Sequence, residues 1–402
     1  MNFDLSDDQK LLVETAASFA KKESPIDRMR RLRDDPIGYE PAMWRHMGEL
    51  GWLGIPFPDS VGGYGGRFID AALLIEQLGA TLVPEPYIPS VILAGMAIER
   101  AGDDQQKKRW LVPMIEGKTA MALAYAERHS RYDVLDVATR AERKGATWSI
   151  SGEKVFVLGG HNADHLVVSA GVAEAGPGGI GLFVVARDTA GLTVDPIATM
   201  DGRRAAMIRL DGATVGEDCA LGEPGAAGPA LEDVMDLASA AACAEGLGIA
   251  RTVLAMTVEY LKTREQFGAK IGSFQALQHR AVDMFIEVEL CHSTVIYAGL
   301  AIDDPDRDER QAAVSAAKVQ LCQGGRFVVR QGIQLHGGIG CTDEHDVGLY
   351  FKRMQVLGAL FGDEVYHTER FSRLSSFTAD IADASKAAEQ AANSQRVSAA
   401  GE

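Results

Sequence analysis

The sequence lacks the features that would place it among disulfide-stabilised or metal-binding proteins. The five cysteines are scattered, odd in number and never spaced as C-x-x-C; they are Cys219, Cys243, Cys291, Cys322 and Cys341. We therefore expect free thiols in a reducing cytoplasm. The histidines show no metal-ligand spacing, and we expect no metal site.

Long apolar runs are also missing, and the sequence has no excess of basic over acidic residues. No run approaches the roughly 18 apolar residues that a membrane-spanning helix needs, and the charged N-terminus is typical of an amphipathic helix rather than a signal peptide. The formal net charge of −16 argues against nucleic acid, whose phosphates require clustered Lys and Arg. We expect a cytoplasmic protein that binds neither nucleic acid nor membrane.

What is present is the composition of a soluble globular protein with 402 residues, enough for two or three domains. Residues 1–118 show helical periodicity, and Ser6 and Gln9 form a capping-box pattern at its start. Residues 119–226 contain short β-prone runs separated by glycine-rich turns, including Thr147–Val157, which alternates like two strands around a Ser-Gly turn. They predict a compact β domain.

Helical periodicity returns over residues 227–382, with long alanine-rich segments at Val234–Thr263, Ser273–Ile302 and Asp308–Leu335. Long helices with short joins indicate an antiparallel four-helix bundle. Residues 383–402 lack a bulky apolar face, and we expect a disordered tail. The fold class is therefore α+β: an N-terminal all-α domain, a central β domain and a C-terminal four-helix bundle.

Two segments in the bundle carry the pattern of a binding site. In Thr263–Gln275, Gly268 can end one helix and Ser273 can cap the next, which leaves Gln275 in a first turn with unpaired N–H groups. Such a turn binds anions, and Arg264 can add a forked cation. The residues alone allow either a pyrophosphate site or an ordinary helix–turn–helix with surface charges.

The second segment is Gln334–Thr342, in which three glycines follow a helix. They let the backbone turn sharply and let a flat ligand approach closely. A helix C-cap followed by a loop explains the same pattern.

Together the two segments resemble the acyl-CoA dehydrogenase family, in which R-x-Q-F-G-x-x-I-x-x-F-Q opens the second bundle helix and Q-x-x-G-G-x-G follows the third. Both motifs occur here at the family's separation. The resemblance extends over nearly the whole chain, through Leu5–Gln9, Gly62–Gly65, Ser151–Lys154 and Tyr350–Arg353.

This resemblance implies FAD as the cofactor, bound between the β domain and the bundle, with its pyrophosphate and adenine held by a neighbouring subunit. It further implies an acyl-CoA substrate, an electron-transfer flavoprotein as acceptor, and a dimer or dimer of dimers formed with itself or with a paralogous subunit. By motif match, the residues expected to hold the pyrophosphate and ribose end are Arg264, Gln266, Phe267, Phe274 and Gln275. The adenine end falls to Gln334, Gly337 and Gly338.

The departures from the family lie at the reacting end. The stretch Ala126–Asp133 replaces T-E-P-x-A-G-S-D, so Arg131 and Tyr132 stand where small residues touch the flavin. At the flavin-binding W-[IV]-[TS] motif, Phe156 keeps an aromatic ring but Leu158 has lost the hydroxyl.

The catalytic base of the family is a Glu, and its two known positions hold Phe361 and Ala238 here. The nearest carboxylates in sequence are Asp363, Glu364 and Glu245; a relocated base among them, or helix capping and surface charge, are the alternatives. A family Arg that helps to bind CoA is Ser239, three residues after the matching Asp236.

Three functions remain open. The chain is a complete α,β-desaturating acyl-CoA dehydrogenase with a relocated base, or a non-catalytic or half-catalytic partner subunit that lends its FAD cradle to a catalytic paralogue. Heteromeric relatives divide the work in the second way, and their non-catalytic subunits resemble this chain in the pattern Leu-Phe-Gly-Asp. The third possibility is a flavin-free structural or CoA-binding relative.

Overall fold

The computed structural model describes residues 5–176 and 178–375. Within them the chain has the expected order of helices, strands and helices. The change from helices to strands falls between Ile115 and Met121, and the change back falls between Gly216 and Gly228. The predicted disordered tail, residues 383–402, lies outside the described residues, as do the last residues assigned to the bundle.

The N-terminal region is built from helices α1 to α6, and α1 begins with the predicted capping box of Ser6 and Gln9. A π-helical segment, Tyr87–Gly95, runs directly into α5. The helices are α1 (Asp7–Lys22), α2 (Ile26–Leu32), α3 (Pro41–Glu49), α4 (Phe68–Gly79), α5 (Met96–Ala101) and α6 (Asp104–Ile115).

The central region is one seven-stranded, mostly antiparallel sheet in the order β1-β4-β2-β3-β7-β6, with β5 paired to β4. The strands are β1 (Met121–Ala124), β2 (Arg140–Lys144), β3 (Thr147–Leu158), β4 (His165–Val172), β5 (Ile180–Ala186), β6 (Leu192–Ala198) and β7 (Arg204–Gly216). The predicted Ser-Gly turn was wrong: β3 continues through Gly152, where an irregularity in its pairing with β7 accommodates the glycine.

The C-terminal bundle comprises α7 to α11, followed by the short α12, and a π-helical segment, Leu321–Gly325, joins α9 to α10. The segment Asp308–Leu335, expected as one helix, is helical throughout and contains this π-helical segment. The helices are α7 (Gly228–Thr263), α8 (Gln275–Ala301), α9 (Arg307–Gln320), α10 (Arg326–His336), α11 (Val347–Ala359) and α12 (Glu364–Ser372).

Helix α7 is the centre of the molecule, because every residue from Asp236 to Ala250 is buried. Its small residues allow close packing: a Cβ at Gly248 would lie 2.0 Å from the carbonyl oxygen of Glu76 on α4. By length and composition α7 and α8 could each cross a membrane, but both are bundle helices here, and core helices of soluble proteins meet the same criterion.

Candidate functional site

The first predicted segment forms a small hairpin that projects from the end of α7. Strands β8 (Glu265–Gln266) and β9 (Ala269–Lys270) pair around Phe267 and Gly268, and both turn residues have positive φ, 55° and 75°. Gly268 therefore does not cap a helix, since α7 has already ended at Thr263.

Helix α8 begins at Gln275, as expected, but Ser273 does not cap it. The Ser273 hydroxyl donates to the carbonyl oxygen of Lys270 at 2.7 Å, and Phe274 precedes the helix without a side-chain cap. The first-turn N–H groups of α8 thus receive no side-chain cap, which leaves them available to an anion.

The hairpin side chains face outward. The Phe267 ring is 94% exposed, and Phe274 lies edge-on to it with ring centroids 6.4 Å apart. Arg264 and Gln266 are also exposed, and Arg264 has no ion pair among the described residues. An exposed aromatic pair next to a free guanidinium is suited to a ligand or a partner that supplies the missing contacts.

The second predicted segment lies beside the first. Gln334 is exposed in the last turn of α10, and a 3₁₀ turn, Gly337–Cys341, follows. Gly337 has φ 64°, and a Cβ at either Gly337 or Gly338 would meet no atom within 4 Å, so there is open space over this turn. Arg280 of α8 donates to Gln331 of α10 at 3.1 Å and links the two segments.

An apolar stripe on α8 extends from these segments. Four of its side chains are about half exposed: Val282, Phe285, Ile286 and Leu290. Contiguous exposed apolar side chains of this kind mark protein–protein contacts.

Family models for the three acyl-CoA dehydrogenase domains match residues 6–118 (N-terminal), 122–213 (middle) and 230–375 (C-terminal). The chain belongs to the acyl-CoA dehydrogenase family. A curated relative, the probable acyl-CoA dehydrogenase YngJ of Bacillus subtilis (strain 168), is 31% identical over 354 residues, which is 86% of this chain and 92% of that protein.

Solved structures of the family share the whole fold. A variant of the Tcur3481-Tcur3483 steroid ACAD is 30% identical with a TM-score of 0.83, and the match covers 93% of this chain and 99% of that one. A chain of the ChsE4-ChsE5 complex from Mycobacterium tuberculosis is 26% identical with a TM-score of 0.83, over 93% and 98% of the two chains. The expected fold and the expected acyl-CoA dehydrogenase type of oxidoreductase are thus confirmed.

The residues that the family resemblance assigns to the reacting end surround a cavity of about 580 Å³ between the β domain and the bundle. Tyr125 and Tyr132 line one wall, and Met235, Ser239 and Phe361 line the other. Tyr132 crosses to the bundle, where its hydroxyl donates to the carbonyl oxygen of Ala359 at 3.1 Å. Tyr132 therefore lies against the bundle at a position where the family resemblance implies a small residue.

A buried polar clasp fixes the backbone around Phe361, which has φ 59° and is 6% exposed. The Phe361 carbonyl oxygen accepts from the Ser239 hydroxyl at 3.3 Å and lies 3.0 Å from His367 Nε2. Lys318, which is fully buried, donates to the carbonyl oxygens of Leu357 and Gly362. The backbone is thus held firmly at the position where the family resemblance implies the catalytic Glu, but the side chain at this position is a phenyl ring.

The three carboxylates considered as a relocated base do not line this cavity, and each is hydrogen-bonded to another residue. Asp363 accepts from the N–H of Tyr366 and caps α12. Glu364 accepts from Gln323 at 2.8 Å in an exposed contact. Glu245 lies in a buried ionic cluster, described next, so a helix cap, an amide hydrogen bond and ion pairs account for the three in turn.

The ionic cluster joins the β domain to the bundle and was not anticipated from the sequence. Arg353 of α11 donates two hydrogen bonds to Glu245, at 2.8 and 2.7 Å, and one to Asp201, at 2.8 Å. Arg203 donates a further hydrogen bond to Glu245 at 2.8 Å. Burial opposes ionisation of Glu245, but the charges of Arg353 and Arg203 outweigh it and keep its pKa below the usual range. A carboxylate held in this way is a poor base.

The carboxylates that line the cavity are engaged as well. Asp133 accepts from the N–H of Leu135, Asp308 accepts from Ser375, and Glu232 and Glu369 pair with arginines. Asp236, matched to a family Asp, is buried against Arg370. Each of these carboxylates thus already has a hydrogen-bond or ion-pair partner among the described residues.

A second buried pair anchors the loop that carries Tyr132. The Lys154 amine, which is fully buried, donates to Glu127 at 2.7 Å and to Ser169 at 2.9 Å. Glu127 also accepts the N–H groups of Ala138 and Thr139, so one carboxylate closes both ends of the loop 128–137. The motif Ser151–Lys154 contained this lysine, but nothing in the sequence indicated its partner.

The flavin-facing side chains fit the cofactor less well than the cradle does. Phe156 has φ 53° and is 39% exposed, and Leu158 is half-buried without a donor group. By contrast, the hairpin and the Gly337–Gly338 turn offer open space, exposed donors and backbone amides. The hairpin and the turn are thus chemically suited to an adenine and pyrophosphate group, whereas Leu158 offers no hydroxyl to a flavin ring.

Proposed function

We propose that this chain is a partner subunit of an FAD-dependent acyl-CoA dehydrogenase, which lends its dinucleotide cradle to a catalytic paralogue. The observation that carries the proposal is Phe361, which occupies the base position while every nearby carboxylate is engaged elsewhere. The complex would oxidise an acyl-CoA thioester and pass electrons to an electron-transfer flavoprotein.

The residues of the cradle are those named by motif. Arg264, with the first-turn amides of α8 at Gln275, would hold the pyrophosphate, and Gln266, Phe267 and Phe274 would flank the ribose end. Gln334, Gly337 and Gly338 would line the adenine end. FAD, when bound, would supply the hydride-accepting group for oxidation of the acyl chain, and this chain's residues would hold and orient the far end of the cofactor.

The open side of the cradle supports a second subunit. Phe267 is 94% exposed and the apolar stripe on α8 lies beside it, so a partner surface there would remove both from water. The heteromeric ChsE4-ChsE5 complex is a structural relative with this fold. A paralogue that supplies the base and the flavin face would complete the site.

The visible spectrum of the purified chain, alone and co-expressed with a catalytic paralogue, tests the proposal. We expect a colourless chain alone and a flavin spectrum for the complex. Tightly bound flavin in the chain alone that is bleached anaerobically by an acyl-CoA would instead make it a complete dehydrogenase with a relocated base. A chain that gains flavin in neither setting would be a flavin-free relative.

In the flavin-bearing complex, Arg264→Ala is expected to weaken FAD retention by at least about tenfold, since an arginine–phosphate contact is charge-assisted. Retention is read from flavin absorbance after gel filtration. Lys262→Ala is the matched control, because Lys262 is a neighbouring exposed cation that pairs only with Glu259. Equal retention in both variants would show that the cradle is assigned wrongly.

Association of the subunits depends on the apolar stripe. Phe285→Glu is expected to raise the dissociation constant of the complex at least about tenfold, because a charge would be buried in the contact. Analytical ultracentrifugation measures this effect, with Val365→Glu as a control on an equally exposed apolar residue of α12. An unchanged constant for Phe285→Glu would place the contact elsewhere.

A further inference from the structure

Helix α2 is unusually rich in arginine, and its arginines reach different parts of the molecule. The segment Ile26–Arg33 reads Ile-Asp-Arg-Met-Arg-Arg-Leu-Arg. Arg28 is buried against Glu85 and also pairs with Glu40, within the N-terminal region. Arg31 is exposed and pairs only with Glu40. The other two, Arg30 and Arg33, cross to the bundle.

Arg30 and Arg33 clamp the chain just after the glycine turn of the cradle. Arg30 donates to Asp346 at 3.1 and 2.7 Å, to the carbonyl oxygen of Glu344 at 3.3 Å and to that of Asp343. Arg33 holds both carboxylate oxygens of Asp343, at 2.8 and 2.6 Å. A network of forked contacts that includes backbone carbonyls orients its target far better than a single surface ion pair does.

Contacts between aromatic rings connect the segment held by Arg30 and Arg33 to the Gly337–Gly338 turn. His345 lies between the two clamped aspartates in sequence, and its ring centroid is 4.4 Å from that of His336. His336, the last residue of α10, is buried, contacts the carbonyl oxygen of Gly332 at 2.7 Å through Nδ1, and lies 4.6 Å from the Tyr260 ring of α7. The next residue along the chain is Gly337, where the open turn begins.

The clamp is also anchored on its other side. Arg204 of β7 donates to the carbonyl oxygens of Arg33 and Asp35, so the end of α2 is fixed to the β domain. The Arg33 hydrogen bonds, opposed only by slight burial, lower the pKa of Asp343 to about 2, and the clamp therefore stays charged at neutral pH.

We propose that Arg30 and Arg33 are positioning residues for the dinucleotide: by holding Asp343 and Asp346 they set the Gly337–Gly338 turn against the adenine end of FAD. This inference rests on the proposed cradle. It assigns a cofactor role to a helix of the N-terminal region, which the cradle motifs do not include.

FAD is titrated into the flavin-stripped form of whichever assembly carries flavin, followed by flavin fluorescence. We expect the Arg30→Met/Arg33→Met double variant to bind FAD about tenfold more weakly at low salt, equivalent to roughly 1.4 kcal/mol. At about 1 M salt the gap from wild type should close, because partly exposed ion pairs are screened. Arg31→Met, on the same helix, should bind FAD like wild type.

A charge swap separates positioning from general stability. Arg33→Asp and Asp343→Arg should each weaken FAD binding, and the two together should regain most of it. Unchanged FAD affinity in the Arg30→Met/Arg33→Met variant, or a swap that restores nothing, would overturn the proposed clamp while Arg264→Ala still loses flavin. If Arg264→Ala also keeps its flavin, the cradle itself has failed.

Discussion

Replacing Glu245 with alanine is expected to lower the free energy of unfolding by about 3–5 kcal/mol, because it leaves two buried guanidinium groups short of a partner. Glu245 is 4% exposed and joins Arg353 of the bundle to Arg203 of the β domain. Removing it leaves Arg353 with Asp201 alone and Arg203 with one backbone carbonyl oxygen. Urea denaturation followed by circular dichroism measures the loss.

The matched control is Glu364→Ala, since Glu364 is the other glutamate considered as a base and makes an exposed contact with Gln323. Its loss should cost less than about 1 kcal/mol. If Glu245→Ala were as stable as wild type, the cluster would not support the fold, and the carboxylate would again be available for a chemical role.

Replacing Lys154 with methionine is expected to destabilise the chain by an amount that depends on pH through Glu127. In the wild-type chain, burial opposes ionisation of Glu127, but the hydrogen bond and charge of Lys154 outweigh it and lower its pKa. That stabilisation is present above the unfolded pKa of about 4.5 and is lost as the pH falls through the lower folded pKa.

Without Lys154, burial still opposes ionisation of Glu127 and only the N–H groups of Ala138 and Thr139 favour its carboxylate, so its folded pKa rises from the wild-type value. The variant therefore loses stability relative to wild type as the pH rises through the range in which Glu127 ionises. We expect Lys154→Met to cost about 3–5 kcal/mol near pH 7 and less than about 1 kcal/mol near pH 4.

Thermal unfolding between about pH 4 and about pH 7 measures this effect, in a range where Lys154 keeps its proton, since burial lowers its pKa only to about 8. Lys144→Met, an exposed lysine at the end of β2, is the control and should show no such trend. The double variant Glu127→Gln/Lys154→Met should regain most of the stability, because no unpaired charge remains. A cost that is the same at both pH values would contradict the ion pair.

The order of domains could be predicted from the sequence because it depends on local patterns, and the proposed cradle residues could be named because they lie in continuous segments. Periodicity identifies helices and strands, and the spacing of Arg264, Gln275 and Gly337 is preserved within continuous segments. The details of the turn were wrong because a hairpin and a capped helix end use the same residue types: Gly268 supplies positive φ to either one.

The ion pairs were not predictable because they join residues far apart in the chain. Glu245 and Arg353 are 108 residues apart, and Arg30 and Asp346 are 316 apart. A charged residue in a single sequence gives no sign of whether water or a distant partner will surround it. Glu245 therefore looked like a candidate base, although the fold uses it as a connector.

The exposed cradle has a consequence for how the chain is made. In the proposed assembly, a subunit that exposes Phe267 and the apolar stripe of α8 to water is prone to nonspecific association until the partner subunit binds. Copies produced in excess of the partner would meet one another, chaperones or proteases first. Balanced synthesis of the two subunits, for example from one transcript, would be the simplest way for a cell to keep this surface covered.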